Sequence, residues 1–460
     1  MHLKHKGYNL ILCILCTFAI LCIVLCVICG FGQRSVARAA DIRNQEVPNV
    51  CITLNYNGHS FIYNSSNYLP KVYNFLQQRG LQKNNRTGSH LQRAKTIEFM
   101  VKNKIPIEDA FSYMFFGWQD FFSGVVKSID KPPVDATLTF SANTTPCFIV
   151  THEQVGYKLN KNEVLHNILS AMHKTDCIVL NLKPKKLLPA VYYDELIKQT
   201  QLLSSFSTSY QHSTIDRKTN IKLALKNFNG LKVLPKQTIS FNQTTGKRTE
   251  SAGYRQAHMI LDGEYIDAVG GGVCQASTTL YNALLLAGVQ IDEVHSHSLP
   301  SSYIDLGFDA MVNYGTSDLR FTNQFDTPIY LRVCCLEDKV IVEVYGQNYS
   351  QNVKIKRVSQ VISTIPPPND KIIVDTGGEY INQVEYSDEW FYKKTAKPGY
   401  KVKAFLEYYK NNILVKRKCI KTVTYKSQQG IKIYGAKNRK PEFIDDKFLE
   451  TLGNILGKKQ

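Results

Sequence analysis

The sequence predicts an α+β protein with an N-terminal transmembrane helix, one or two small α+β domains, a central α+β domain and a small all-β module at the C-terminal side. Three observations lead there. An uninterrupted apolar run fills residues 8–31, amphipathic helical runs alternate with short strand-like runs from residue 41 to about 350, and beyond that the chain reads as short strands with regular turns. A chain of 460 residues is too long for one compact core and implies roughly two to four domains. With 43% hydrophobic and 11% aromatic residues, it has the material to bury sizeable cores and is no disordered tail.

Residues 8–31 carry no charge. At about 1.5 Å of rise per residue, such a helix crosses a hydrocarbon layer of about 30 Å. The apolar core of a secretory signal is shorter, about 7–15 residues. Ala37-Arg38-Ala39 has the small-x-small form of a cleavage site, so a long cleaved signal is the alternative. Lys4 and Lys6 argue for an N-terminus inside, although Arg34, Arg38 and Arg43 blunt that bias. Nothing after residue 31 resembles a second span, so the expected arrangement is a single-pass protein of the cell membrane with its C-terminal bulk outside the cytoplasm.

Residues 41–131 mix alternating stretches with helical runs and form the first expected domain. Their aromatic stripe, Phe115, Phe116, Trp118, Phe121 and Phe122, reads as core. Lys131-Pro132-Pro133 marks a joint, because the residue before each proline is pushed out of the helical region. Residues 134–195 follow as strand, turn, strand, helix, strand. Residues 202–350 form the central domain, 351–436 the β-rich module, and 437–460 a charged tail with a weakly amphipathic FLETLGNIL.

Of twelve cysteines, five (Cys13, Cys16, Cys22, Cys26 and Cys29) lie in the apolar run, leaving Cys51, Cys147, Cys177, Cys274, Cys334, Cys335 and Cys419. That odd number has no disulfide-framework spacing, and no CxxC pair suggests structural zinc. The net charge of +18 would suit nucleic acid, but a membrane helix directs it instead to lipid head groups or anionic wall polymers.

The chemistry concentrates in VGGGVCQASTTLYNALLLAGV, residues 269–289. Gly270, Gly271 and Gly272 precede a good helix, with Gly288 placed as its stop. Cys274 therefore stands at a helix N-terminus. The unpaired N–H groups there favour a thiolate and can hydrogen-bond an oxyanion, while the glycines let a substrate backbone come close. A buried cysteine with glycines for tight packing is the bland alternative. A nucleophilic thiol wants a base. His295 and His297 lie in VQIDEVHSHSLP, where an extended chain would put both imidazoles on one face. His258 is a further candidate, and Asp309 or Asp318 could orient an imidazole. A zinc site from Cys274, His295 and His297 lacks a visible fourth ligand.

These residues carry a family resemblance. FSTSY (206–210), ISFNQTTGKRTESAGYRQA (239–257), the GGGVC helix, HSLPSSYIDLGFDAMVNYG (297–315) and DLRFTNQFDTPIYL (318–331) resemble the VanW domain throughout residues 202–336. Residues 134–195, and more loosely 41–131, resemble the peptidoglycan-binding domain that commonly precedes VanW domains in Gram-positive bacteria. Most VanW proteins have no assigned activity, but some clostridial members are L,D-transpeptidases that use the VanW cysteine. The resemblance implies Cys274 as nucleophile and His297, in HSLP, as general base and acid. His295, His258 and Asp309 follow as supporting candidates, His258 because L,D-transpeptidases of the YkuD type place a histidine before a Gly-Cys segment. The implied function is formation of 3→3 cross-links between peptidoglycan stem peptides through a cysteine thioester, with no metal or organic cofactor and no nucleic-acid partner. The alternative is a non-catalytic peptidoglycan-binding scaffold.

Overall fold

The computed structural model describes residues 49–68, 89–261, 264–349, 353–438 and 446–456. The helix expected at 8–31 lies outside them, and among the described residues no helix is long and apolar enough to cross a membrane. The chain divides into two compact units. One comprises Gly156–Leu187 and the described part of Met1–Pro132. The other comprises Pro133–Val155 and the described part of Leu188–Gln460.

This corrects the expected boundary between 41–131 and 134–195. Strand Cys51–Tyr56 pairs antiparallel with His59–Asn64 and parallel with Cys177–Asn181, so residues from both expected domains share one sheet. Ile52 and Leu54 alternate inward with Ile178 onto a core built around Trp118. The Trp118 ring lies 5.3 Å from Tyr63 and from Phe111 and stacks on Phe122 at 5.5 Å, so Phe115, Trp118 and Phe122 of the stripe are core as expected, while Phe121 packs against that core and Phe116 is half-buried outside it. Helix His90–Lys102 starts on a capping box: Gln92 N–H donates to Ser89 Oγ, and Ser89 N–H donates to Gln92 Oε1. The Pro132-Pro133 joint is where the chain leaves this unit. The hairpin of Thr137–Phe140 with Phe148–Thr151 belongs to the second unit, with the Phe148 ring 5.3 Å from Tyr330 and 5.4 Å from Tyr345.

The second unit centres on an antiparallel sheet of four strands, in the order Gln201–Ser209, Lys339–Gly346, Ile329–Cys335 and Lys232–Val233. Helix Val273–Leu286 packs on it with nearly every residue buried. A helix so enclosed must satisfy its polar side chains internally, because a buried unpaired polar group costs about 1–3 kcal/mol. Thr279 hydrogen-bonds Thr208 on the sheet, while Ser277, Thr278 and Asn282 all engage the segment 308–310. The expected module at 351–436 is all β, with one sheet of Val353–Ile365, Gly399–Lys410 and Ile413–Tyr425 and another of Lys371–Asp375, Ile431–Gly435 and Trp390–Lys394. It shares the core of the central domain: Ala404 and Leu406 are buried in the same cluster as Leu280, Leu284 and Phe308. In the tail, Asp446–Leu456 is helical.

Candidate functional site

The helix that carries Cys274 begins at Val273 on an N-cap glycine, Gly272, which has a φ of +103° and offers no side-chain cap. Of the backbone donors at this end, Gln275 N–H and Ala276 N–H both bond the Gly272 carbonyl, at 2.9 and 3.3 Å. The N–H groups following the cysteine, expected to receive an oxyanion, are thus occupied. Among the described residues, the N–H groups of Gly272 and of Cys274 itself are the ones left without a partner here.

The three glycines answer first to the chain's own packing. A Cβ at Gly271 would meet the Ala257 carbonyl oxygen at 2.1 Å, so Gly271 exists for the close approach of strand Gln256–Leu261 and its open side is filled. Gly270 has a φ of +89°, in the left-handed region that disfavours side chains. A Cβ at Gly272 would press on Arg217 Cγ at 2.9 Å. Gly270 and Gly272, but not Gly271, line a cavity of about 620 Å³ together with Cys274, His297, Arg217 and Tyr303.

His297 enters this cavity on an irregular segment. Strand Gln290–Glu293 ends before it, and the only further pairing in the segment is an isolated bridge of His295 with Met311. The two histidines therefore part company, against the expectation of one shared face. His295 is 40% exposed and pairs its Nε2 with Glu293 Oε1 at 2.8 Å, whereas His297 is 6% exposed. His297 Nδ1 lies 2.8 Å from Asp309 Oδ2, which also accepts the His297 backbone N–H at 2.6 Å. With Nδ1 donating to Asp309, Nε2 is left for the sulfur. Cys274 Sγ lies 3.5 Å from the Val312 carbonyl oxygen.

Asp309 is placed with equal care. Asn282 donates to the Phe308 carbonyl at 2.8 Å, Ser277 Oγ donates to the Ala310 carbonyl at 2.6 Å, and the Ala310 N–H donates to Thr278 Oγ1 at 2.9 Å. The cysteine's own helix thus holds the aspartate from both sides. Asp309 Oδ1 accepts a 2.6 Å hydrogen bond from Tyr425 Oη, which in turn accepts the Gly307 N–H at 2.7 Å, and Lys421 Nζ donates to the Asp309 carbonyl at 2.9 Å. Sequence reasoning missed Tyr425 and Lys421, both on strand Ile413–Tyr425 of the β-rich module.

The electrostatics follow from these contacts. Burial pushes the Cys274 thiol up, but His297, the Val312 backbone and Arg248 together outweigh it and hold the thiol below its ordinary value. Burial pushes His297 down, but the Asp309 carboxylate and Cys274 reverse this and raise it to about 10. Burial raises Asp309, and His297, Lys421 and Tyr425 bring it down to about 2. These contacts favour a thiolate beside an imidazolium backed by a carboxylate. That arrangement suits nucleophilic attack on an acyl carbon.

The remaining candidates lie elsewhere. Asp318 accepts from Ser240 Oγ at 2.5 Å and from the Asn242 and Leu319 N–H groups, so it organises a turn and no imidazole. His258 sits on strand Gln256–Leu261 opposite Asp267, and its side chain is outside the described residues.

Comparison with known proteins finds two family matches in this chain. The family described as "VanW like protein" matches residues 216–345, and that described as "Putative peptidoglycan binding domain" matches residues 119–177. The uncharacterized protein YoaR of Bacillus subtilis (strain 168) is 31% identical over 250 residues, which cover 53% of this chain and 80% of that protein. The vancomycin B-type resistance protein VanW of Enterococcus faecalis (strain ATCC 700802 / V583) is 25% identical over 187 residues, covering 40% of this chain and 67% of that protein. A solved G5 domain of an IgA1 protease covers 20% of this chain at 18% identity, with a TM-score of 0.13 that is too low to carry an argument. The matches point to a cell-wall-associated role for a chain that combines a peptidoglycan-binding-like domain with a VanW-like domain. The chain belongs to the VanW family.

Proposed function

We propose that this protein is an L,D-transpeptidase, held at the cell membrane by residues 8–31 with its bulk outside, that forms 3→3 cross-links in peptidoglycan. The observation that carries the reading is the succession Cys274, His297, Asp309, in which a half-buried cysteine at a helix start faces a buried histidine backed by a buried aspartate, with Cys274 and His297 opening on a cavity. The Cys274 thiolate attacks the carbonyl carbon of the third residue of a tetrapeptide stem. A C–S bond forms, and the carbonyl electrons move to an oxyanion that the Gly272 and Cys274 N–H groups receive. The oxyanion collapses, the C–N bond to D-Ala breaks, and the leaving amine takes the His297 proton. The thioester that remains is attacked by the side-chain amine of a neighbouring stem. His297, now neutral, accepts the proton, the C–S bond breaks, and the thiolate is regenerated with a new amide in place.

The test is incubation with purified tetrapeptide stems, followed by mass spectrometry of the protein and analysis of the muropeptides. The expected results are a Cys274-bound acyl group equal to the stem less D-Ala, a 3→3 dimer, and loss of both in Cys274→Ala. If the intact protein yields no dimer, no exchanged D-amino acid and no tripeptide while still binding isolated wall, it is a scaffold and Cys274 is structural.

A further inference from the structure

The cavity beside Cys274 holds a cation, Arg217, that has no carboxylate partner and faces only the Cys274 sulfur as an opposite charge. Arg217 stands on helix Ile215–Leu225, whose N-cap, Thr214, accepts the Arg217 backbone N–H. Its side chain runs past Gly272, where a Cβ would collide with it, and reaches the cavity that Cys274 and His297 also line. Nη1 is fixed by two neutral acceptors, Ser213 Oγ at 2.8 Å and Gln275 Oε1 at 2.7 Å. Gln275 is in turn locked, its Nε2 donating to Thr208 Oγ1 at 3.0 Å and to the Ser209 carbonyl at 2.8 Å. The guanidinium is thus pre-positioned, and its Nε and Nη2 have no hydrogen-bond partner among the described residues.

An acid is close in sequence but is spent elsewhere: Asp216 pairs with Arg255 at 2.7 Å. No Asp or Glu lines the cavity. A second cation lies nearby. Arg248 donates to Asn242 Oδ1 through Nη2, packs its stem against Gly270, and has its Nε and Nη1 buried without a partner. A half-buried guanidinium is costly to desolvate, and natural sites normally pair it. His297 hydrogen-bonds the sulfur directly, whereas Arg217 acts on it through charge alone and keeps its Nε and Nη2 open. Arginine's planar fork fits a carboxylate with two parallel hydrogen bonds.

We propose that Arg217 is the carboxylate-binding group of the site, gripping the free C-terminal carboxylate of a peptide whose last amide bond Cys274 attacks. This rests on Cys274 acting as an acyl-transfer nucleophile, and it adds the rule by which the donor is chosen. The carboxylate of a leaving amino acid lies two bonds beyond the scissile nitrogen, so a fixed cation beside the nucleophile selects the terminal amide bond over every internal one. A stem extended by one more residue puts a neutral amide where the carboxylate should be, leaving Arg217 unpaired.

The experiment compares two probes, a tetrapeptide stem ending in D-Ala with its free acid and the same peptide ending in D-alaninamide. Binding of each to the full-length Cys274→Ala chain is measured by calorimetry, which removes the thiolate and the chemistry together. The acid should bind about ten-fold or more tighter than the amide, as expected of a charge-assisted pair. Arg217→Gln should bring the acid down to the amide's affinity and leave the amide unchanged, while Arg217→Lys should keep part of the preference. Thermal melts of both variants show whether the fold is intact. Equal binding of acid and amide, equal weakening of both by Arg217→Gln, or no binding of the acid at millimolar concentration overturns the proposal. The same two probes with the unmodified cysteine separate the proposal from the reading beneath it. Acid-selective binding without any thioester sinks the transpeptidase chemistry and leaves the subsite, whereas thioester formation at equal rates from acid and amide sinks the subsite and leaves the chemistry.

Discussion

Cys274 is half-buried, and only the groups around it decide whether it is a thiol or a thiolate. Burial alone would keep it protonated, yet His297 and Arg248 pull it below the ordinary value. Cys419 is exposed on a strand and offers an internal standard. Iodoacetamide should therefore label Cys274 faster than Cys419 at neutral pH, and the advantage should grow as pH falls below a free thiol's value of about 8.5. The sign is fixed by direction: a lowered thiol keeps its thiolate at pH values where an ordinary thiol is protonated, and loses it only on further acidification. Asp309→Asn should erode that advantage. Without the carboxylate, His297 falls from about 10, the imidazolium is lost earlier as pH rises, and the Cys274 thiol climbs back. Labelling of Cys274 no faster than Cys419 would mean that the sulfur is not activated.

At the scale of elements, the site depends on a strand outside the region that carries the family match. Tyr425 is 1% exposed and its hydroxyl is used twice, accepting from Gly307 and donating to Asp309. Tyr425→Phe keeps the ring and removes both bonds, at a cost of about 1–3 kcal/mol for the groups left unpaired. A fall in melting temperature with a folded near-UV spectrum is expected, together with slower Cys274 labelling than wild type but faster than Asp309→Asn. Unchanged labelling in a destabilised variant would make Tyr425 a packing residue only. This explains what could be read beforehand. Cys274 was legible because a glycine run and an apolar helix are local signals. Asp309 was carried forward over Asp318, but the reason was not legible, since it turns on Thr278 and Asn282 reaching across to the 308–310 segment. Period two alone put His295 and His297 on one face, and only the family resemblance favoured His297; the structure separates them because the strand ends at Glu293. Tyr425 and Arg217 gave no signal at all, because a strand tyrosine and a helix arginine are ordinary until a tertiary contact aims them. The return of residues 156–187 to the first unit was hidden similarly: pairing of Cys51–Tyr56 with Cys177–Asn181 spans more than a hundred residues and leaves no local trace.

For the whole molecule, the β-rich module is part of the machine and no appendage. Its Ala404 and Leu406 fill the central core, and Arg357 Nη1 donates to Asn282 Oδ1 at 2.7 Å, on the residue that holds the Phe308 carbonyl. A chain ending at residue 350 keeps every residue of the VanW match yet loses Tyr425, Lys421 and Arg357. It should melt lower and label at Cys274 no faster than an ordinary thiol; full retention of both properties would make the module independent. The dependence of Asp309 on Tyr425 also has a consequence in time. The cysteine, the histidine and the aspartate are all synthesised before the strand that completes their hydrogen bonds. At the usual 5–20 residues per second, the wait is on the order of ten seconds. A nascent chain in that interval carries its thiol without the finished support, so the reactive state arrives only with one of the last strands to be made.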